Sequence, residues 1–255
     1  MVVEVTSAAA RANIVLRRPE VLNAMDWEVF DGLARAADEI AAAADVRVAV
    51  VSGEGRSFSS GIDTSTFGDL TGSAAERIQR AQAGFRKIAA LPMPTVAQVR
   101  GHALGAGLQL ALACDIRVVA EDASLGLLEA KYGIIPDLGG TQQLPRLVGR
   151  GRAKKMIWLA ERITGHEAGA IGLAELVVAP GELDRAVDEL AERIAKAPPL
   201  AVRRAKELVD LADSVAVAEG MDAEAGAQLS LLASSDFGEA IGAFIEGRDP
   251  SFTGS

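Results

Sequence analysis

Hydrophobic and polar residues follow one another along the chain in blocks whose period changes between that of a strand and that of a helix. Residues 2–5 and 12–16 are short β-rich runs, and Pro19 closes the second as an extended segment, so the two predict a β-hairpin. From Asp26, a candidate N-cap, apolar residues recur at helical spacing over the following turns. The apolar run at residues 46–51 then predicts a buried strand.

The same order of elements returns further along the chain. A capping box at residues 73–76 opens a helix that runs to about Leu91, where two prolines stop it. Residues 95–99 and 116–119 predict two more strands, and the segment that begins at Gly105 predicts a helix between them. The chain therefore builds up by repeated units of strand and helix.

After Pro136 the pattern becomes helical, apart from a strand-like run at residues 176–178. Ala-rich helical segments begin at Glu182, Ala201, Val215 and Ser235. We therefore predict an α/β core domain over residues 1–195, made of turns that stack along one axis, and a helical region over residues 196–255. The helical region has more apolar surface than a single layer of helices can bury, which indicates a partner subunit.

Composition narrows the class of protein. Hydrophobic residues make up 49% of the 255 residues and aromatic residues only 4%, so Ala, Val, Leu and Ile must build the core. The net charge of −9 argues against nucleic acid or an anionic membrane as a partner. The sequence shows neither a signal peptide nor an apolar run of the ~20 residues that a membrane span needs. We expect a soluble, cytoplasmic protein whose single cysteine, Cys114, is buried and inert.

The turn Gly105-Ala106-Gly107 is the first candidate for chemistry. It leads directly into an apolar helix, so its backbone N–H groups lie at a helix N-terminus, where they favour an anion or an oxyanion. Gln109 lies one turn further along, and an amide side chain neither gives up nor takes a catalytic proton at ordinary pH. A tight turn that only allows close helix packing is the alternative interpretation of these glycines.

Two other kinds of site are not supported by the sequence. A dinucleotide site would need a full G-x-G-x-x-G after a strand, with an acidic residue downstream, and this pattern is missing. His102 and His166 have no cysteine or acid at ligand spacing, so no metal site is predicted. We interpret both histidines as structural, His166 within a second capping box that starts at Thr164.

Several motifs in a fixed order carry a resemblance to a known family. They include Arg-Pro-Glu-Val-Leu-Asn-Ala-Met at residues 18–25, Gly-Arg-Ser-Phe-Ser-Ser-Gly-Ile-Asp at 55–63, Gly-His-Ala-Leu-Gly-Ala-Gly at 101–107, Cys-Asp-Ile at 114–116, Gly-Ile-Ile-Pro-Asp-Leu-Gly-Gly-Thr at 133–141, and a tail over 243–250. With these motifs the chain resembles, over nearly its whole length, the crotonase superfamily, the enoyl-CoA hydratase/isomerase group.

The resemblance implies a fold, a ligand and an assembly. The fold is a spiral of repeated ββα turns with a C-terminal helical region that makes homotrimers, usually paired into hexamers. The ligand is an acyl-CoA thioester whose carbonyl oxygen is held by two backbone N–H groups, here those of Ile62 and Ala106. Such donors stabilise negative charge on the oxygen and thereby acidify the neighbouring carbon. Coenzyme A is part of the substrate, so no separate cofactor and no metal are implied.

The resemblance also indicates where coenzyme A binds. It places five residues near the CoA moiety: Arg18, Ser59, Ser60, Gly61 and Asp63. Arg18 is expected to meet a phosphate. The lysine that the family commonly has shortly after the Asp63 position is replaced by Thr64 and Ser65, so phosphate contacts are expected to be fewer or to come from other basic residues. Residues 64–72 are expected to line part of the acyl pocket.

The acidic residues suggest the reaction. In the two-glutamate hydratases of the family, the two acids occupy the positions that hold Gln109 and Glu129 here, and Asp137 follows eight residues later. Addition of water to a 2-enoyl thioester divides proton transfer between two carboxyl groups. A double-bond shift needs only one carboxylate, so the pattern favours an enoyl-CoA isomerase with Glu129 as the proton shuttle and Asp137 near the far end of the unsaturated system.

Other interpretations of these residues stay open at this point. The chain could be a hydratase in which Gln109 orients water and Glu129 does the acid and base work. It could also be a non-catalytic acyl-CoA binding protein, which the glutamine and the missing lysines would permit. Glu129 alone could be an ordinary surface carboxylate, and Asp137 could be a turn residue or the N-cap of the helix after Gly140.

Overall fold

The apolar runs of the chain form two β-sheets in a computed structural model that describes residues 1–68 and 71–255. Residues 69 and 70, which belong to the expected pocket segment 64–72, lie outside the described residues. The strands are β1 (Val3–Ala8), β2 (Arg11–Leu16), β3 (Val48–Gly53), β4 (Thr95–Val99), β5 (His102–Leu104), β6 (Ile116–Ala120), β7 (Ser124–Gly126), β8 (Ile163–Thr164) and β9 (Leu176–Val178).

Helices separate and follow these strands. They are α1 (Trp27–Ala42), α2 (Ala74–Ala89), α3 (Ala106–Leu112), α4 (Gly140–Val148), α5 (Arg150–Leu159), α6 (Gly165–Ala170), α7 (Leu183–Lys196), α8 (Pro199–Leu211), α9 (Val217–Leu232) and α10 (Ser235–Glu246). A short 3-10 turn over Glu129–Tyr132 carries one of the predicted acids.

The large sheet has the strand order β1-β2-β3-β4-β6-β9, and the small one has the order β5-β7-β8. β1 and β2 are the predicted hairpin, with Val3 opposite Leu16. From β2 onward the large sheet is parallel. The chain passes from β4 to β5 and from β6 to β7, so these two turns each give one strand to each sheet, as in the predicted spiral.

Small aliphatic side chains fill the core, as the composition predicts. The central strands bury Val, Ala and Ile on both faces, including Val50, Val96 and Val118. Two of the buried rings pack where α1 crosses α2, and the centroids of Phe30 and Phe85 lie 6.2 Å apart. Helix α7 covers β3, β4 and β6 from the other side. This core holds the loops of the site in place.

Three of the helix starts that the sequence predicts are confirmed by side-chain caps. Asp26 accepts a hydrogen bond of 3.0 Å from the N–H of Val29. The capping boxes that start at Ser73 and at Thr164 each make both of their reciprocal hydrogen bonds. His166 lies in the second box, as predicted.

Some predicted boundaries are wrong. β3 begins two residues later than predicted, because the N–H groups of Arg47 and Val48 both donate to the carbonyl of Ala10 before the ladder starts. α2 ends at Ala89 and not at Leu91. The small strand β8 falls in a region predicted to be helical, since two residues are too few to show a period.

The C-terminal tail, which follows α10, is hydrogen-bonded to the core. The guanidinium of Arg47 donates to the carbonyl of Phe252 at 2.6 Å. Several large apolar side chains of α9 and α10 nevertheless face outward; Phe244 is 84% exposed and Leu229 is 72% exposed. Within the described residues, no helix combines the length and the apolar character needed to cross a membrane.

Candidate active site

Two glycines let the backbone of two loops approach closely. Gly61 has a φ of +106°, and a Cβ built on it would lie 2.8 Å from the carbonyl oxygen of Leu104 and 3.8 Å from the N of Ala106. Gly105 has a φ of +52° and connects β5 to α3. Only glycine adopts such conformations easily and leaves room for the neighbouring chain. The loop that contains Ile62 therefore lies directly against the start of α3.

The backbone N–H groups of Ile62 and Ala106 are unused donors. Met25 bridges to Ile62 by donating to the carbonyl of Gly61 and accepting from Asp63, which leaves the Ile62 N–H outside the pair. Ala106 is the first residue of α3, so its N–H has no acceptor within the helix. Among the described residues neither N–H makes a hydrogen bond. Unpaired donors on buried backbone are rare and indicate a place for a ligand oxygen.

Side chains of the preceding loop fix its shape. Ser59 is fully buried and donates to the carbonyl of Asn23 at 2.8 Å, while its Oγ accepts from the N–H of Gly61. Asn23 donates from its side chain to the carbonyl of Ser57 at 2.7 Å. Asn23 also has a φ of +55°, which asparagine tolerates better than most residues. Its role in this loop was not anticipated from the sequence.

Arg18 already has anionic partners in this structure. Its guanidinium donates to Asp63 at 3.0 Å and to the carbonyl of Ala24 at 2.6 Å, and it also lies 3.1 Å from Asp26. Hydrogen bonds from Ser65 and the ion pair with Arg18 hold the pKa of Asp63 below its usual range. Arg18 thus ties the loop to the start of α1. The CoA contacts expected of Arg18 and of the loop stay a prediction.

The predicted acid Glu129 and the glutamine Gln109 are in direct contact. Gln109 Nε2 donates to Glu129 Oε1 at 2.7 Å. Gln109 Oε1 accepts from the N–H groups of Leu138 and Gly140 at 2.7 and 3.0 Å. Because the oxygen accepts two backbone hydrogen bonds, the orientation of the amide is fixed. Gln109 is 1% exposed, so it belongs to the wall of the site and is not a surface residue.

Glu129 is not an ordinary surface carboxylate. It is only 7% exposed, at the start of its 3-10 turn, and a Cβ on Gly105 would lie 3.3 Å from its Oε1. Its Oε2 is buried and has no hydrogen-bond partner in the described part of the chain. Burial raises the pKa of Glu129, the charge of Asp137 adds to this, and the hydrogen bond from Gln109 acts in the opposite direction. A buried, unpartnered carboxylate oxygen can take up a proton.

Asp137 is a partly buried carboxylate near the same place. Burial raises the pKa of Asp137 above its ordinary value. The N-cap of α4 is Gly139, without any side-chain cap, so the interpretation of Asp137 as the cap of this helix is wrong. The reason is that Gln109 Oε1 takes the N–H of Gly140.

A cavity of about 440 Å³ lies beside these groups, which is within the usual size range of small-molecule sites. Gln109 and Asp137 line it, together with residues of α2 and α4 such as Phe85 and Gln142. Gln109 therefore lies between Glu129 and the cavity. Its amide nitrogen donates to Glu129, and its side chain forms part of the cavity wall.

Two residues of this wall were not found from the sequence. Gln82 Nε2 donates to the carbonyl of Asp137 at 2.6 Å, and Arg86 donates to Gln82 Oε1 at 2.7 Å. Both lie on α2, whose helical pattern contains many polar residues, and nothing in the local sequence distinguishes these two from solvent-facing ones.

The remaining candidates have structural surroundings. His102 Nδ1 lies 3.3 Å from the Ser57 hydroxyl. Cys114 is buried, as predicted, and burial raises the pKa of its thiol to about 12. In the described residues, no cluster of His, Cys, Asp and Glu side chains is suited to hold a metal ion.

The chain is similar to known proteins over nearly its whole length. The family model described as enoyl-CoA hydratase/isomerase matches residues 6–255. The Bacillus subtilis protein YngF, which carries the name of the same group, is 39% identical over 245 residues, covering 95% of this chain and 94% of its own.

Solved structures agree with this match. The enoyl-CoA hydratase of Bacillus anthracis is 35% identical, aligns over 100% of both chains and has a TM-score of 0.95. A Thermobifida fusca protein solved in complex with CoA is 40% identical, covers 91% of this chain and 93% of its own, and has a TM-score of 0.86. These similarities confirm the fold that the sequence motifs imply.

Proposed function

Because the chain belongs to the enoyl-CoA hydratase/isomerase family, we propose that it shifts the double bond of an unsaturated acyl-CoA, with Glu129 as the proton shuttle. One observation carries this proposal. Among the described residues, Glu129 Oε1 is held by Gln109 while Oε2 is buried without a partner, and the turn beside it and the facing loop each bear one unused N–H donor, those of Ala106 and Ile62.

The proposed reaction begins with the thioester. Its carbonyl oxygen accepts hydrogen bonds from the N–H groups of Ile62 and Ala106, which stabilise the negative charge that develops on it. In a 3-enoyl-CoA, Glu129 removes a proton from C2, and the electron pair moves into the thioester to give a dienolate. The protonated Glu129 then returns a proton to C4, and the double bond forms between C2 and C3. The substrate and the product have the same mass.

The state of Gln109 favours a reaction with one carboxylate. Its oxygen already accepts two backbone hydrogen bonds and its nitrogen donates to Glu129. It therefore has no free lone pair with which to take a proton from water. Glu129, whose pKa is raised by burial, is suited both to accept a proton and to give it back.

The second candidate reaction is addition of water to a 2-enoyl-CoA. The name of the Bacillus anthracis structure favours it, and Asp137 offers a second carboxyl group whose pKa is raised by burial. In this case Glu129 and Asp137 would divide the acid and base work. Both reactions would use the same two backbone donors on the thioester carbonyl, but they start from different enoyl-CoA isomers.

The structure of the Thermobifida fusca protein with CoA supports acyl-CoA as the ligand. We propose that CoA lies against the loop of Ser59, Ser60, Gly61 and Asp63 and that the acyl chain extends toward the cavity lined by Gln109 and Asp137. Arg18 would meet a phosphate only by giving up part of its contact with Asp63.

We also propose that the chain assembles into trimers or into hexamers built from two trimers. The outward apolar side chains of α9 and α10, including Leu229 and Phe244, support this proposal because such surfaces usually pack against a partner. Light scattering at several protein concentrations measures the assembled mass, and a monomer throughout would contradict it.

The reaction itself is tested by incubating the purified protein with 3-enoyl-CoA and with 2-enoyl-CoA. Mass spectrometry and the absorbance of the conjugated thioester are followed together. A gain of conjugation at constant mass is the expected result. A gain of one water on the 2-enoyl substrate, without isomerisation, would replace the proposal by the hydratase.

A further inference from the structure

A chain of hydrogen bonds connects the surface of α2 with the catalytic carboxylate proposed above. It begins at the guanidinium of Arg86 and passes through the side-chain amide of Gln82. It continues through the peptide group between Asp137 and Leu138 and ends at the amide of Gln109, which donates to Glu129.

The four hydrogen bonds of this chain are short and well defined. Their donor–acceptor distances are 2.7 Å from Arg86 Nη2 to Gln82 Oε1, 2.6 Å from Gln82 Nε2 to the carbonyl of Asp137, 2.7 Å from the N–H of Leu138 to Gln109 Oε1, and 2.7 Å from Gln109 Nε2 to Glu129 Oε1. All four are charge-assisted or join polarised amide groups.

Every bond of the chain points in the same direction. Each of the three amide groups accepts through its oxygen from the side of Arg86 and donates through its nitrogen toward Glu129. Amides aligned in this way polarise one another, so each bond strengthens the next. The chain has a cation at one end and a carboxylate at the other, which is the arrangement that this polarity favours.

The cation at the start of the chain is not neutralised nearby. Among the described residues, Arg86 forms no ion pair, and its guanidinium donates to Gln82. The residues of the hydrogen-bond chain also line the cavity beside Asp137, except for Glu129. The bonds therefore run along the cavity wall. Substitutions in α2 can change them and leave the turn at residues 105–107 unaltered.

We propose that Gln82 and Arg86 are positioning residues for Glu129, which act through the Asp137–Leu138 peptide and Gln109. They hold the turn before α4 so that the Gln109 amide presents its nitrogen to Glu129 Oε1 and leaves Oε2 free. The catalytic meaning of this inference rests on the proposed function, whereas the connection between α2 and Glu129 does not.

The test uses Gln82→Glu in the full-length protein. The new carboxylate can still accept from Arg86. Its second oxygen replaces the amide nitrogen that donates to the Asp137 carbonyl, so this hydrogen bond is lost and the series of bonds is interrupted there. Gln142→Glu is the matched control, because Gln142 lines the same cavity and lies outside the chain. Gln82→Met removes the donor without adding charge and serves if the first variant does not fold.

Two readouts are measured on each variant. The first is the pKa of Glu129, from a ¹³C NMR titration of its carboxyl carbon; we expect Gln82→Glu to raise it by about one unit, and Gln142→Glu to change it much less. Asp137 is the charged group of the facing turn that acts on Glu129, so its carboxyl carbon is titrated in the same spectra. The second is kcat, which we expect to fall about tenfold in Gln82→Glu.

The outcomes separate this inference from the proposed function. An unchanged Glu129 titration in both Gln82 variants, or an equal shift in Gln142→Glu, would overturn the positioning role. A wild-type protein that turns over neither enoyl-CoA would contradict the proposed function, and the NMR titration would still decide whether the chain of amides acts on Glu129.

Discussion

Gln109 and Glu129 are joined by a hydrogen bond whose direction cannot be reversed. The amide nitrogen donates to the carboxylate at 2.7 Å, and the amide oxygen is occupied by two backbone N–H groups of the turn before α4. Gln109 is therefore not a weakened copy of a catalytic acid. It restrains one oxygen of Glu129, while the other oxygen has no partner among the described residues.

Replacement of the carboxylate by an amide tests the role of Glu129. Glu129→Gln keeps the shape of the side chain but cannot carry the proton, so we expect turnover of enoyl-CoA to fall by about 10²-fold or more. Calorimetric titration with an acyl-CoA should show nearly unchanged affinity. Glu121→Gln is the control and should keep full activity, because Glu121 is exposed in the turn that follows β6. Full activity in Glu129→Gln would show that the base lies elsewhere.

The pH dependence of activity follows from the raised pKa of Glu129. The base must be ionised to accept a proton, so kcat/KM should fall as the pH drops through a pKa above the ordinary glutamate value of about 4.3. The pH profile of kcat/KM measures this directly. An acid limb at or below the ordinary value would mean that burial does not control this group.

The same shift predicts a change in stability. A carboxyl group whose pKa is raised by folding stabilises the folded protein below its unfolded pKa, and this contribution is lost as the pH rises through the folded pKa. Glu129→Gln should therefore be more stable than the wild type at pH 7, and this advantage should disappear near pH 4. Urea unfolding of both proteins at the two pH values checks the sign, and a variant that is less stable at pH 7 would contradict it.

An acid at position 109 should change the balance of reactions. In Gln109→Glu, two carboxylates would lie within hydrogen-bond distance, so one of them would stay protonated and its pKa would rise further. One acid and one base together are what addition of water requires. We expect water addition to increase relative to isomerisation, measured by mass spectrometry on 2-enoyl-CoA. Gln109→Met, which removes the hydrogen bond without adding an acid, should give no such increase.

Gly61 tests the approach of the two loops. Gly61→Ala places a Cβ 2.8 Å from the carbonyl of Leu104 at a φ of +106°, so we expect a loss of about 1–3 kcal/mol in the free energy of unfolding and a lower kcat. Thermal and urea unfolding measure the first, and steady-state kinetics the second. Gly151→Ala in α5, where a Cβ would meet nothing within 4 Å, should be neutral or slightly stabilising. If both variants were equally stable, the close contact between the Gly61 loop and Leu104 would not limit the residue at position 61.

Much of the fold was predictable because it depends on local patterns. The cap at Asp26 and the capping box at residues 73–76 follow from hydrogen bonds within one helical turn, which the sequence displays directly. The strand β8 was missed because it is held by β7, forty residues away, and not by any pattern of its own.

The candidate site divides along the same line. The motifs indicated Glu129, Gln109 and the Gly105 turn, because these residues lie within motifs, or at a fixed spacing from them, that can be read directly along the sequence. They did not indicate Gln82 or Arg86, whose contacts with the site depend on how α2 packs beside the turn before α4. Such contacts are set by tertiary packing, and a single sequence does not show them.

The unpaired N–H groups of Ile62 and Ala106 belong to the main chain, and this has a consequence for how the protein can change over evolutionary time. Any amino acid other than proline supplies the same donor, so the donors themselves do not depend on which side chain stands at these two positions. Gln109, Glu129 and Asp137 are different, because in the proposed reaction a single codon change at one of them alters a group that carries a proton or holds the group that does. New reactions can therefore arise on one side of the site while the other side is inherited intact.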